Sequence, residues 1–572
     1  RLPAMPRAPA ACRPCPAPAP PVASTARPAG PRPPLSGRAG LRGAADAAWP
    51  RAPFAPSPRP SIRPVTRPAP NAALPVPGLL ALAAALVLAS GPAGAGQPWA
   101  EAGDRQLRQD VETLKAARLI RGPVNHWPLP WSQIEEGVRA AQSRPVAPHI
   151  AAAARRLDRL IELAAQRRTV EIRAAATNHP ALIRGFGTAA RERGDVAVQI
   201  TRSLGRLAIS GGIGWREGQD GRDIHIEPAQ ATLGLGNWVL YGGHVQKWWG
   251  AGQDGALHIS NNARPFPKLG VQRLYPYPPE PRLLRWIGPW RFDAFGGVMD
   301  DRRRDSDRPL QFGTAFSFEP LPGLEFNLHR LLWICGGTRA GENPTLGGVC
   351  TAGSVVRGII PLFPGVKPGD SLAGIALSYS GMVGPVAVRL HYDVAGEDKD
   401  SFQQFDQVGQ VGGATLTGPL GEAGATWQLG AEYANTVARF WFTGREVPGS
   451  FYNNFFYFDG KVYRGDAVGH AIDGDSTLLS VHGAITDSAN RRWHASVRAA
   501  DIYRTEAPNA AGEAANRLSS NRERIDILTA GVEWPTRLGD ITVEGRWQSD
   551  SPDTPGETRP RSAVELGWRS RF

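Results

Sequence analysis

From Thr169 to Phe572 the sequence holds a period of two. In "PVAVRLHYDV" the residues Val386, Val388, Leu390, Tyr392 and Val394 alternate with Ala387, Arg389, His391 and Asp393. In "DITVEGRWQSD", Ile541, Val543 and Trp547 alternate with Thr542, Glu544, Arg546 and Gln548. "GLEFNLHR" sets Leu324, Phe326 and Leu328 against Glu325, Asn327 and His329, and "TWQLGAEY" sets Trp427, Leu429, Ala431 and Tyr433 against Gln428 and Glu432. Each reads as a strand with one apolar and one polar face. One such strand fits a β-sandwich, but many in succession without crossover helices would need several domains to bury their apolar faces. A large closed barrel accommodates all of them, with the apolar parity toward lipid and the polar parity toward a wet lumen. Without a long apolar helix, a closed barrel is the only architecture that can span a bilayer, because unpaired backbone in lipid is too costly.

The last strand pattern, "SAVELGWRSRF", ends on a bare aromatic. Val564, Leu566, Trp568 and Phe572 share one parity, and Glu565, Gly567, Arg569 and Arg571 the other. A long amphipathic edge at a terminus needs covering, and closing a barrel covers it. Trp568 and Phe572 resemble the C-terminal signature that barrel-assembly machinery reads. Trp215, Trp238, Trp290, Trp493, Trp534 and Trp568 gather toward strand ends, as interfacial aromatic girdles require.

The net charge of +13 and pI near 10 would ordinarily point to nucleic acid. Residues 1–70 supply +10 of it, with eleven arginines against the one acid Asp46, so no nucleic-acid partner is expected. That stretch is Pro/Ala/Arg low-complexity sequence with too little apolar content for a core. Residues 71–96 read as a signal peptide: the apolar run Leu79–Ala89 has the length of an h-region, and Ala93 and Ala95 follow as a cleavage site requires. The expected mature protein therefore lacks residues 1–70 as well, and its destination is the outer membrane of a Gram-negative bacterium. Cys12 and Cys15 form a C-x-x-C without a second pair, a poor zinc or redox signal. Cys335 and Cys350 flank a Gly-rich connection and are candidates for a disulfide in an oxidising compartment, with two unpaired thiols as the alternative.

Residues 97–168 carry a helical period. Leu107, Val111 and Leu114 form a stripe with Asp104 placed as an N-cap. Gly122 and Pro123 interrupt it, Ser132 with Glu135 suggests a capping box, and Ile150, Leu157, Leu160, Ile161 and Ala164 share a broad face. Residues 169–572 are then the barrel.

The segment "NWVLYGGHVQKWWGAGQDGALHISNNARPFPKLGVQR" at 237–273, with Trp248-Trp249 before Gly250, Asp254-Gly255 and "SNNARPFP", resembles the capsule-assembly outer-membrane protein Wzi family. "VNHWPLPW" at 124–131, "DSLAGIALSYS" at 370–380, "YDVAGEDKDS" at 392–401, "EYANT" at 432–436 and "YRGDAVGHAIDGD" at 463–475 resemble it in order. The resemblance implies an all-β transmembrane barrel of about eighteen antiparallel strands with a small N-terminal helical bundle on the periplasmic side. It also implies a noncatalytic, lectin-like role in holding capsular or exopolysaccharide at the cell surface. The expected surroundings are outer-membrane lipid and the barrel-assembly machinery, with the protein a monomer. The connection from Ile334 to Asp370 departs from the family pattern.

No hydrolase constellation is evident. Glu397 and Asp398 adjoin, as solvated loop or lumen acids often do. Local metal-ligand spacing is absent, the nearest approach being His225 with Glu227 on an alternating strand, and no cofactor is expected. "GLGNWVLYGG" does not open a helix as a dinucleotide loop would. Trp248 and Trp249 have two readings. Their indoles can stack on sugar while Asp254, Asn261, Asn262 and Arg264 bind hydroxyls or acidic groups, or the segment can wedge the lumen shut. An open lumen lined by Arg389, His391, Glu544 and Arg546 would make the protein a porin or solute channel instead.

Overall fold

A computed structural model describes residues 96–572 except 188–189, 219–220, 227–228, 337–368, 398–406, 422 and 556–557. The low-complexity segment, nearly all of the expected signal peptide, Cys12, Cys15, Glu227, Cys350 and Asp398 lie outside the described residues.

Among the described residues, three helices precede the barrel: α1 (Arg105–Ala116), α2 (Trp131–Gln142) and α3 (Pro148–Ala164). Asp104 caps α1 as its sequence position suggests, its side chain accepting from the Leu107 N–H at 2.9 Å. The Ser132 capping box does not form. α2 starts one residue earlier, at Trp131, with Pro130 in the cap position and no side-chain cap hydrogen bond. No helix of the described residues is long and apolar enough to cross a membrane.

The first strand, β1 (Arg168–Thr177), opens an antiparallel run through β2 (Gly194–Leu204) and β3 (Leu207–Gly218). β4 is one strand in two pieces, Gly221–His225 and Gln230–Leu235, since both pair with β3. β5 (Trp238–Gly243), β6 (Lys268–Arg273), β7 (Trp290–Val298), β8 (Leu310–Leu321) and β9 (Leu324–Ile334) follow. Next come β10 (Gly369–Val383), β11 (Val386–Glu397), β12 (Gln407–Leu420) and β13 (Ala425–Phe440). β14 (Thr477–Thr486), β15 (Arg492–Ile502), β16 (Glu523–Thr536), β17 (Gly539–Gln548) and β18 (Ser562–Arg571) complete a closed barrel of 18 strands. β18 pairs with β1 from Glu565↔Thr177 to Arg571↔Glu171, so the C-terminal strand is the closing strand.

The alternation sorts as the lipid–lumen reading requires. On β11, Ala387, Arg389, His391 and Asp393 are buried while Leu390 and Tyr392 are exposed. On β9, Glu325, Asn327 and His329 are buried and Leu328 is exposed. The apolar parity thus forms an outer belt, the inverse of a soluble protein's core. Turns at one rim are short, such as 322–323, 384–385 and 537–538. Connections at the other are long, such as 244–267, 441–476 and 503–522. In outer-membrane barrels short turns are periplasmic and long loops extracellular. Trp238, Trp290, Trp493, Trp534 and Trp568 lie at strand ends on the short-turn rim, and Trp215 lies toward the opposite rim. Helix α1 sits inside the lumen at the short-turn end, against β10 and β11.

Candidate functional site

Helix α1 is polar yet almost wholly buried, which a polar barrel interior explains. Leu107, Val111 and Leu114 pack with Ile134, Val138 and Leu157 of the other two helices. The opposite face meets barrel charges. Glu112 accepts from Arg108 Nε at 2.7 Å and pairs with Arg389 of β11, and Lys115 Nζ lies 2.7 Å from Glu319 on β8. Just beyond α1, the Glu325 carboxylate accepts from the backbone N–H groups of Val124 and Asn125 at 2.9 and 3.0 Å. Buried charges are tolerable only when paired in this way.

Above the helix, the connection 244–267 folds into the lumen. Trp248 and Trp249 pair antiparallel with Trp127 and His126, joining this connection to the N-terminal segment. The ring of Phe186 meets Trp248 edge-on at 5.2 Å and carries the Arg108 guanidinium 4.5 Å from its own centroid, and Trp249 stacks on His329 at 5.9 Å. Gly255 is required by close approach, since a Cβ there would sit 2.0 Å from the His470 ring. The second long connection, 441–476, packs onto the first: Tyr452 Oη donates to the Leu257 carbonyl at 2.5 Å and Ser260 Oγ to that of Gly469 at 2.5 Å.

All six residues expected to bind glycan belong to this segment, and the structure brings them together inside the lumen. Both indoles are fully buried, so neither offers a face to a sugar from solution in this arrangement. Asp254 Oδ1 accepts from Arg498 Nη2 at 2.7 Å, and its own N–H donates to Glu432 at 3.1 Å. Burial pushes the Asp254 carboxyl up, but Arg498, His482 and Ser480 outweigh it and hold the group well below the usual carboxylate range. Asn261 Nδ2 donates to the Phe186 carbonyl at 2.7 Å, Asn262 Nδ2 to that of Ala467 at 3.0 Å, and Arg264 is ion-paired with Glu192. Amide and guanidinium groups suited to hydroxyl recognition are here spent on backbone carbonyls and acids of neighbouring segments.

The lumen residues that would line a channel are similarly engaged. Glu544 lies 3.4 Å from Arg105 at the head of α1 and 3.1 Å from His494, and Arg546 lies 2.8 Å from Glu565. A polar cavity remains between them, lined by Arg105, Asp254, His482, Arg492, Arg498 and Glu544 among others. Exposed aromatics that periodicity could not single out stand at the long-loop rim. Phe442 is 91% exposed and stacks with Trp441 at 6.2 Å just after β13, and Phe455 is 74% exposed. Their only sequence signal was an aromatic run inside a long connection. Cys335, directly after β9, is disulfide-bonded.

A closed antiparallel barrel with an apolar outer belt, short turns at one rim and a lumen occupied by its own connections defines an outer-membrane β-barrel with an internal plug. The chain belongs to the capsule assembly protein Wzi family, whose model matches residues 164–552. It is similar to the solved structure of Escherichia coli Wzi, described as an outer-membrane protein involved in group 1 capsule assembly and a carbohydrate-binding β-barrel. The TM-score is 0.68 at 19% identity, covering 83% of this chain and all of that one. It is also 25% identical over 232 residues to an uncharacterized 55.8 kDa protein in the cps region of Klebsiella pneumoniae, 40% of this chain and 45% of that one. The chain thus aligns with about half the length of that relative. Its location is the outer membrane.

Proposed function

We propose that this protein is a noncatalytic, lectin-like anchor that holds capsular or exopolysaccharide at the cell surface. The observation that carries the proposal is the filled lumen: α1 and the connection 244–267 occupy it, and buried ion pairs such as Glu112–Arg389 tie them to the wall. A barrel closed in this way presents loops to the outside. Membership of a capsule-assembly family and the carbohydrate-binding description of the E. coli protein support the same reading. Outer loops make weak contacts with successive repeats, and a long glycan spanning several barrels turns them into avidity through effective concentration. The exposed Trp441, Phe442 and Phe455 are suited to stacking on sugar rings, while Trp248, Trp249, Asp254, Asn261, Asn262 and Arg264 support the loops from beneath.

A deletion strain tests this. Total polysaccharide is expected to stay at the parental level while the cell-bound share falls and the free share rises. An unchanged partition removes the anchor, and loss of total polymer points to synthesis or export. The polar lumen cavity beside Arg498 and Glu544 favours a second reading, a solute channel. Large stable currents from purified protein in planar bilayers would support that reading against the anchor.

We infer likewise that the signal peptide at 71–96 is cleaved, that Cys335 bonds with Cys350, that assembly machinery reads Trp568 and Phe572, and that the barrel works as a monomer embedded in outer-membrane lipid.

A further inference from the structure

Within the lumen, three side chains far apart in sequence converge. His258 comes from the inserted connection, His329 from β9 and Asp393 from β11, and one donor atom of each lies within 4.8 Å of the others. All three are buried, at 1%, 3% and 1% exposure. Strand β10 runs between β9 and β11, and its residue opposite His329 is Gly374. A Cβ at Gly374 would lie 2.3 Å from His258 Cε1, so the missing side chain is what admits the imidazole to the wall.

These groups lack the hydrogen bonds that burial demands. Both ring nitrogens of His258, Nδ1 of His329 and Oδ1 of Asp393 have no hydrogen-bond partner among the described residues. Buried polar atoms left unpaired are unfavourable and call for an explanation such as a bound ion. His329 is moreover oriented from behind. Its Nε2 contacts Nε2 of His126, whose Nδ1 lies 2.6 Å from Ser317 Oγ. In the tautomer in which His126 donates from Nδ1 to Ser317 and accepts at Nε2 from His329 Nε2–H, the lone pair of His329 falls on Nδ1, the unpartnered atom. Such a hydrogen-bonded chain is how metal-binding imidazoles are held in one tautomer. The nearby Lys461 ammonium is neutralised by Asp370 at 2.8 Å and by Glu397.

We propose that His258, His329 and Asp393 bind a divalent first-row transition metal of the zinc type. Two imidazoles and a carboxylate suit such an ion, with a fourth position left for water. Bond lengths of about 2.0–2.2 Å require the three donors to draw together from their present separation. Among the described residues, no hydrogen bond of the His258 ring opposes that movement. The ion pins the inserted connection to two wall strands and so fastens the plug, a role independent of whether the loops bind glycan.

The test uses tag-free protein purified in detergent from outer membranes, after removal of the signal peptide and the residues before it, so that Cys12 and Cys15 contribute nothing. After stripping with chelator, the protein is exposed to zinc alone, desalted and assayed for metal. Roughly one zinc per chain is expected, with affinity at least about tenfold weaker in His258→Gln and Asp393→Asn. Zinc should also raise the temperature of heat-modification in the parent and leave it unmoved in both variants. Failure of the parent to retain zinc, or equal affinity in the variants, overturns the site. Should the variants misfold, cobalt bound to the parent decides. Visible bands of a low-coordinate cobalt–imidazole complex support the site, and a spectrum matching hydrated cobalt refutes it.

Discussion

Phe572 and Val170 exchange both backbone hydrogen bonds, each 2.9 Å long, so the last residue of the chain is paired with the first strand of the barrel. This pair continues the β18–β1 seam beyond Arg571↔Glu171, while the Phe572 side chain stays 64% exposed on the lipid-facing parity.

Deleting Phe572 removes two hydrogen bonds, about 1 kcal/mol each, together with the terminal aromatic. The truncated protein should reach the outer membrane at reduced level and shift to the unfolded gel mobility at lower temperature. Wild-type abundance and mobility would show that the seam is secured without it.

Arg498→Ala should strand the Asp254 carboxylate inside the lumen and destabilise the fold by about 3–5 kcal/mol. The acid dependence follows from sign. In the parent the Asp254 pKa is depressed by folding, so its contribution is complete above the unfolded carboxylate value of about 3.9 and is lost as pH falls below it. Without Arg498, burial raises the same carboxyl, and the acid loss of stability should begin at higher pH. Heat-modification midpoints across a pH series check both statements.

Trp248→Ala and Trp249→Ala each empty a fully buried indole site and should each cost about 3–5 kcal/mol. Cell-bound polysaccharide should then fall only in step with the folded fraction, measured by gel mobility and surface labelling. Polysaccharide loss from a fully folded double variant would assign these indoles a direct role in glycan contact.

The opposite behaviour is expected at the outer rim. Phe442→Ala and Phe455→Ala remove exposed rings and should change stability by less than about 0.5 kcal/mol. Together they should still lower the cell-bound share of polysaccharide. An unaltered partition would move the glycan-contacting surface to other loops.

The alternation from Thr169 onward determined the barrel by itself, because a strand's period of two places lipid and lumen faces at fixed parity, and Arg389, His391 and Asp393 could only face inward. The Asp104 cap and the closing role of "SAVELGWRSRF" were legible for the same reason: each depends on neighbours along the chain or on a missing edge partner. The helix start at Trp131 was not, since a capping box competes with how the entering segment is held. What fills the lumen was decided only in three dimensions. Trp248 and Trp249 could have faced sugar or core, and their pairing with Trp127 and His126 joins segments more than a hundred positions apart. The cluster of His258, His329 and Asp393 carries no local spacing at all, because a barrel wall brings distant strands together and Gly374 opens the space for the third ligand. Periodicity reports which face a side chain takes; only closure of the barrel and insertion of its connections determine what that side chain meets.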